Sequence, residues 1–168
     1  MSGTVSWRTA QKSDRPLLER FECTNDDGPD YERIVQRYFR VQAIPHLGAP
    51  DSIRADHRLL FVFDEDRLVA AGCHRRGPGP GQRHFVYAAV ARDRQGRELS
   101  NGERASRVLW AVVSNDIIDR EGGEETLVFS RVHPENARSL AYCSRIGLTP
   151  LEQDSRGLVI CAGPIARA

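Results

Sequence analysis

The chain has 168 residues, with 24 Lys+Arg against 23 Asp+Glu and a formal net charge of +1. With 40% apolar and 28% charged residues it reads as globular, and it is long enough to bury a core without disulfides or a structural metal. No apolar stretch approaches the roughly 18 residues of a membrane span, and the near-zero charge argues against a chain whose main work is holding nucleic acid.

One domain over residues 1–168 is expected from this length. The start, Met1-Ser2-Gly3-Thr4, has no basic region ahead of an apolar run, so a cytoplasmic protein is expected. Cys23, Cys73, Cys143 and Cys161 show no paired ligand spacing. They read as free thiols, and no metal site is expected.

Val5 to Thr9 suits a short first strand. Ser13-Asp14 ahead of Arg15-Pro16-Leu17-Leu18 reads as a helix start with Pro in the first turn. Tyr31, Ile34, Val35, Tyr38 and Phe39 recur at helical spacing and predict an amphipathic helix that reaches Gln42, with Pro45 and Pro50 closing it. Leu59 to Phe63 and Arg67 to Ala71 read as two strands joined by Asp64-Glu65-Asp66. Arg75 to Arg83 is too rich in Gly and Pro for helix or strand and reads as a basic loop. His84 to Val90 is strand-like, and a polar turn follows to Gly102.

Ala105, Val108, Leu109, Val112 and Val113 form the apolar face of the next helix, which Gly122-Gly123 ends. Thr126 to Val132 is again a strand. Asn136 caps a short helix that stops near Gly147. Leu158 to Cys161 reads as the last strand. The order β-α-α-β-β-β-α-β-α-β describes a mixed α/β (α+β) architecture.

Two stretches carry candidate chemistry. Along Val90-Ala91-Arg92-Asp93-Arg94-Gln95-Gly96-Arg97-Glu98-Leu99-Ser100 a strand runs into a turn that feeds a helix N-terminus. Unpartnered N–H groups and the helix dipole suit such a place to an anion, and Arg94, Arg97 and Arg104 stand nearby in sequence. The second stretch is the capped helix from Asn136 to Leu148.

Together these stretches resemble the GNAT superfamily of N-acetyltransferases. The superfamily pattern Val-x-Pro-Asp-x-Arg-Gly-x-Gly-x-Gly lies over Val90 to Ser100, and Asn-x-x-Ala/Ser-x-x-Leu-Tyr-x-x-x-Gly-Phe lies over Asn136 to Leu148. Arg8-Thr9-Ala10-Gln11-Lys12-Ser13-Asp14 resembles its passage from first strand to first helix. The resemblance implies a GNAT-like, splayed mixed sheet flanked by helices, with acetyl-coenzyme A between the fourth and fifth strands. The backbone of Ala88, Ala89 and Val90 would pair with the pantetheine arm. Residues Gln95, Gly96, Arg97, Glu98, Leu99 and Ser100 would hold the pyrophosphate, and Asn136 would contact the thiol end.

Two positions depart from the pattern. Glu98 stands where the family has a close-approach glycine, and Ser100 where it has the last small residue. In that register Glu98 brings a negative charge towards the phosphates; a shifted register, Arg97-x-x-Ser100-x-Gly102, needs a longer turn. Cys143 occupies the place of the tyrosine that protonates the leaving thiolate in many members, with Tyr142 one residue early. One residue on a helix turns a side chain by about 100°, so Tyr142 is expected in the core. Cys143 is either a proton donor with an ordinary pKa of about 8.5 or an inert buried thiol.

The resemblance implies direct transfer of an acetyl group to a small-molecule or peptide amine. Candidate bases are His84, Tyr87, Glu22 and His133, with the oxyanion met by backbone N–H near Ala89 or Val90. Homodimers are common in such folds. Phe21-Glu22-Cys23-Thr24 faintly resembles the start of GNAT toxins that acetylate aminoacyl-tRNA, which would use Arg75, Arg76 and Arg83 on RNA phosphates. A catalytically silent GNAT-fold binding module is the remaining alternative.

Overall fold

A computed structural model describes residues 3–48, 56–122 and 125–165. Strand β1 (Val5–Thr9) leads through a tight turn into helix α1 (Arg15–Glu19). The turn is set by Asp14, whose carboxylate accepts Arg8 at 2.5 and 2.6 Å and the Gln11 N–H at 2.7 Å. Helix α2 (Asp30–Arg37) follows, then strands β2 (Arg58–Asp64), β3 (Arg67–Arg76) and β4 (Gln82–Val90). Helix α3 (Ala105–Glu121), strand β5 (Leu127–Val132), helix α4 (Ala137–Arg145) and strands β6 (Thr149–Gln153) and β7 (Val159–Pro164) complete the order. Pro50 and Gly123 lie outside the described residues.

The seven strands form one sheet in the order β1-β2-β3-β4-β5-β7-β6. Every neighbouring pair is antiparallel except β4 and β5. Leu60, Val62 and Phe85 bury one face under α3 and α4, with Leu109, Val113, Ile117 and Cys143. The alternate positions Phe61, Phe63 and Cys73 bury the other face under α1, α2 and the turn after α2, with Leu18, Tyr38 and Phe39. This alternation is the strand period of two made visible.

Four elements differ from the sequence reading. The helix expected to run from Tyr31 to Gln42 breaks after Arg37 into a wide turn, Tyr38–Gln42, closed by Ala43 N–H on Tyr38 O at 2.9 Å. That register change leaves Ile34 49% exposed and turns Gln36 inward, where its Oε1 accepts the Cys23 and Thr24 N–H groups at 2.9 and 3.1 Å. The expected loop from Arg75 to Arg83 is only a tip, because β3 runs to Arg76 and β4 begins at Gln82. Arg83 is no loop cation: it is buried and pairs with Asp56 and, at 2.7 Å, with Glu121. Strand β6 escaped the sequence reading because all its residues are exposed and it contains Pro150, so it shows no apolar alternation.

Helix α3 is tied to the sheet by charge as well as by apolar contact. Asp116 accepts Arg58 Nη2 at 2.8 Å and His74 Nε2 at 2.8 Å, and His74 is completely buried. Burial alone would push the Asp116 carboxyl up, but the bonds from His74 and Arg58 outweigh it and hold it well below the usual carboxylate range. Removing one partner of a buried pair leaves the other charge uncompensated. Asp116→Asn is therefore expected to cost about 3–5 kcal/mol in urea unfolding.

Two imidazoles add a pH dependence of definite sign. Burial, then the charges of His46, Arg75 and His74, push His57 down to about 4. Burial and nearby arginines push His84 down to about 3. An unfolded histidine titrates near 6.5, so unfolding takes up protons below that value. The stability held in these neutral rings is complete above about pH 6.5 and is lost as pH falls towards these folded values. Urea midpoints measured at about pH 7.5, 6.0 and 5.0 are expected to fall in that order.

Candidate active site

The site begins where β4 and β5 part. They pair only at Gln82↔Leu127, Arg83↔Val128 and His84↔Phe129. Immediately beyond, the β3–β4 register slips between Cys73/His74, with Val86 as the extra residue on β4. Such a bulge bends a strand and adds twist, which carries β4 away from β5. At the crotch Ser130 Oγ donates to Phe85 O at 2.9 Å, a side chain standing in for the missing ladder bond.

The backbone direction of β4 follows from one bond. Ala91 N–H donates to Val69 O at 2.8 Å. In an antiparallel ladder the bonded positions alternate, so Ala89 and Tyr87 also face β3, while Ala88 and Val90 face the opening. The expectation that Ala88, Ala89 and Val90 all offer backbone to a ligand is thus corrected at Ala89, whose polar groups point to β3. The Val90 carbonyl already accepts Gln95 Nε2 at 3.1 Å, and the same nitrogen donates to Cys23 O at 2.6 Å.

A cleft of about 560 Å³ opens from this gap, walled by Ala88, Ala89 and Val90 on one side and by Asn136, Ser139 and Tyr142 of α4 on the other. Gln95, Gly96, Arg97, Arg104, Ala105 and Ser106 form its far end. Asn136 Oδ1 accepts the Ser139 N–H at 3.0 Å and caps α4.

The three remaining residues of the expected phosphate turn lie elsewhere. Glu98, Leu99 and Ser100 line a separate, wider hollow with Asp64 and Arg67. The reason is a longer turn than the motif has. Gly96 and Gly102, with φ of 73° and 80°, allow the chain to double back between them. Leu99 N–H donates to Glu103 O at 2.7 Å, Leu99 is buried, and Ser100 is held by the Asp64 carboxylate. Helix α3 then starts at Ala105, five positions after Ser100. Its first-turn N–H groups, which include Ala105 and Ser106, have no partner within the helix and border the cleft.

Cleft electrostatics are one-sided. Arg94, Arg97, Arg104, Arg138 and Arg145 line it against a single carboxylate among the described residues, Glu32. Among the described residues, Arg97, Arg104 and Arg145 have no acidic partner. Arg94 approaches Asp64 at 3.6 Å, yet its Nε is buried without a hydrogen-bond partner.

Of the two readings of Cys143, the buried thiol is the one its surroundings match, and Tyr142 packs on the core while also bordering the cleft. Tyr142 borders the cleft, with its hydroxyl donating to Ser106 O at 3.0 Å. Cys143 turns into the core against Cys161, and burial pushes its thiol up to about 12. A buried thiol of that kind holds its proton and is a poor donor. His84 sits at the crotch, 7% exposed, with its ring stacked on Phe129 at 4.7 Å. Glu22 lies in the other hollow beside Arg40 and Arg92 at 3.6 and 3.7 Å. Tyr87 packs on Tyr38 at 4.5 Å, and His133 stacks on Tyr31 at 5.0 Å. Glu32 was missed in the sequence, although it lies one helical step from Val35 and both border the cleft; its Oε2 accepts Thr24 Oγ1 at 2.6 Å.

This architecture is shared with solved acetyltransferases. A GNAT-family protein from Desulfovibrio desulfuricans superposes with a TM-score of 0.68 at 20% identity, covering 97% of this chain and 100% of that one. The PaiA N-acetyltransferase of Thermoplasma acidophilum, solved with coenzyme A, gives 0.65 at 11% identity over 96% and 99% of the two chains. The enzyme AAC(6')-Ib, solved with ribostamycin and coenzyme A, gives 0.66 at 13% identity over 96% and 93%. No family model matches the chain, and no curated protein matches it in sequence. The chain has the GNAT fold: a splayed mixed sheet of seven strands with helices on both faces.

All four cysteines are free thiols, and only Cys23 is partly exposed, at the edge of the cleft. Burial pushes its thiol up to about 11. Iodoacetamide at about pH 8 is expected to modify one thiol per native chain, slowly and at Cys23, and all four after unfolding; peptide mass mapping reads both results.

Proposed function

We propose that the protein is an N-acetyltransferase that passes the acetyl group of acetyl-coenzyme A directly to a primary amine. The observation that carries this reading is the meeting of unpaired β4 backbone, a helix N-terminus and five arginines in one cleft. Acetyl-coenzyme A supplies an activated thioester on a polyanionic handle. The residues fit that handle. Arg97, Arg104 and the buried, partnerless Arg94 Nε offer charge-assisted donors. The first-turn N–H groups of α3 add oriented dipoles. Residues Gln95, Gly96 and Arg97 join this set, while Glu98, Leu99 and Ser100 stand outside it.

The N–H groups of Ala88 and Val90 face the opening and are the donors for an extended arm and for a developing oxyanion. An acceptor amine has to lose a proton as it attacks. Glu32 is the group we assign to that task, because among the described residues it is the one carboxylate bordering the cleft. His84, held neutral down to about 3, is too weak a base for it. Neither Cys143 nor Tyr142 is free to protonate a leaving thiolate, so water takes that part.

Calorimetry tests the handle. Acetyl-coenzyme A is expected to bind, and Arg104→Ala to weaken binding about 10- to 100-fold, the value of one charge-assisted contact of roughly 1.5–3 kcal/mol. Glu98→Gly is expected to leave affinity unchanged. Absence of binding at millimolar ligand overturns the reading in favour of a silent binding module. Glu32→Gln is expected to lower turnover about 10²-fold or more with coenzyme affinity unchanged.

A further inference from the structure

Among the described residues, no helix covers one side of the sheet at its β5 and β7 end. Helices α3 and α4 lie over one side of β5 and β7, while α1 and α2 on the other side pack on β2, β3 and β4. On that open side the registers bring four residues into a lateral row across four strands. Arg75 pairs with His84, His84 with Phe129, and Phe129 with Ala162. The row crosses the sheet at the last rung before β4 and β5 part. Two residues further along β5, and so on the same face, stands Arg131, beside Ile160 of β7. Its guanidinium lies 5.4 Å from the centre of the Phe129 ring. The turn after β6 brings Arg156 to the same corner, where Asp154 faces Arg131 at 3.3 Å and Arg156 at 3.7 Å.

The charges here do not cancel. Arg131 and Arg156 share the one carboxylate of Asp154, which is also engaged by the N–H groups of Arg156 and Leu158 at 2.9 and 3.0 Å. Arg75 is exposed and forms no ion pair among the described residues. Phe129, Ile160 and Ala162 form a half-buried apolar floor between these cations.

We propose that this corner is the acceptor's seat and that it selects amines bearing a carboxylate or phosphate, the oxyanion being held by Arg75, Arg131 and Arg156. The proposal rests on the acetyltransferase reading of the cleft, to which it adds the substrate class. The field of the three arginines registers on His84: after burial, Arg131, Arg75 and Arg156 are the largest influences that push its imidazole down to about 3. A protonated ring or a second ammonium there meets the same repulsion. An acid group relieves it and points the amine towards the opening beyond Phe85 and Ser130. Guanidinium planes match both carboxylate and phosphate oxygens in pairs. The chain's net charge of +1 and this small number of cations suit a small acid rather than a nucleic acid.

The test uses the full chain, acetyl-coenzyme A, and amines in matched pairs. Alanine is set against alaninamide, phosphoethanolamine against ethanolamine, and spermidine serves as the cationic control. Thiol release reads turnover, and calorimetry reads binding of each amine without the coenzyme. The acid-bearing member is expected to exceed its partner at least 10-fold in kcat/KM or in affinity; the two pairs tell carboxylate from phosphate. In Arg75→Ala and Arg131→Ala that ratio is expected to collapse towards one, while acetyl-coenzyme A affinity changes less than 2-fold. Arg75 is exposed, so its variant reports even where Arg131→Ala loosens the fold.

Preference for spermidine or for the uncharged partners overturns the proposal. So does an acid preference that survives both substitutions, or binding of tRNA that Arg75→Ala abolishes while the small acids show none. If the coenzyme fails to bind and no amine is acetylated, the acetyltransferase reading falls. The oxyanion seat is then judged by calorimetry alone: arginine-dependent binding of the acids sustains it, and absence of binding overturns it.

Discussion

Everything in this molecule that has chemical potential depends on the parting of two parallel strands. Three rungs join β4 to β5, and then a bulge at Val86 turns β4 away. Buried backbone groups without partners are costly, so each has to be met. Phe85 O takes a serine hydroxyl, and Val90 O takes the Gln95 side chain. These are local substitutes for a strand that is not there. They keep the opening polar and narrow, and they leave backbone donors on one edge of it. An extended ligand arm of the kind we propose would add to β4 the way another strand does.

The second dependence is on where charge is spread and where it is gathered. Overall the chain is nearly neutral, with a net charge of +1. Much of its acid is used in structural pairs: Asp14 with Arg8, Asp116 with Arg58 and His74, and Asp56 with Arg83 and Arg120. Each pair ties one element to another. Among the described residues, Arg97, Arg104 and Arg145 are left without acid and stand in the cleft. Net charge thus said little about the site, because pairing had already consumed most of the opposing groups far from it.

Legibility in the sequence followed the same division. Elements with buried faces were readable: β2 and β3, buried on both sides, read as continuous apolar runs, while α3 and β5 show an apolar face. Strand β6 is exposed throughout and gave no signal. The break in the helix after Arg37 was hidden because Tyr38 and Phe39 continue the apolar spacing, and both are buried on either reading. In the site, the strand, the capped α4 and the arginines were legible as local patterns. Glu32 was not, since the cleft it borders is closed by β4 and α4, distant in sequence.

The phosphate-turn motif shows how spacing misleads when a loop gains residues. An ungapped reading from Val90 places Glu98 where a side chain and a negative charge are least welcome. The physical anchor is the start of α3, not the end of β4, because the helix N-terminus provides the donors. Counted from Ala105, the intervening residues are an excursion, fastened by Leu99 in the core and by Ser100 on Asp64. Glu98 then borders the separate hollow, and the anion site we propose would draw on Gly96 and Arg97 on one side and Arg104 to Ser106 on the other. A motif that has lost its glycines need not have lost its chemistry, provided the helix terminus and the cations still converge.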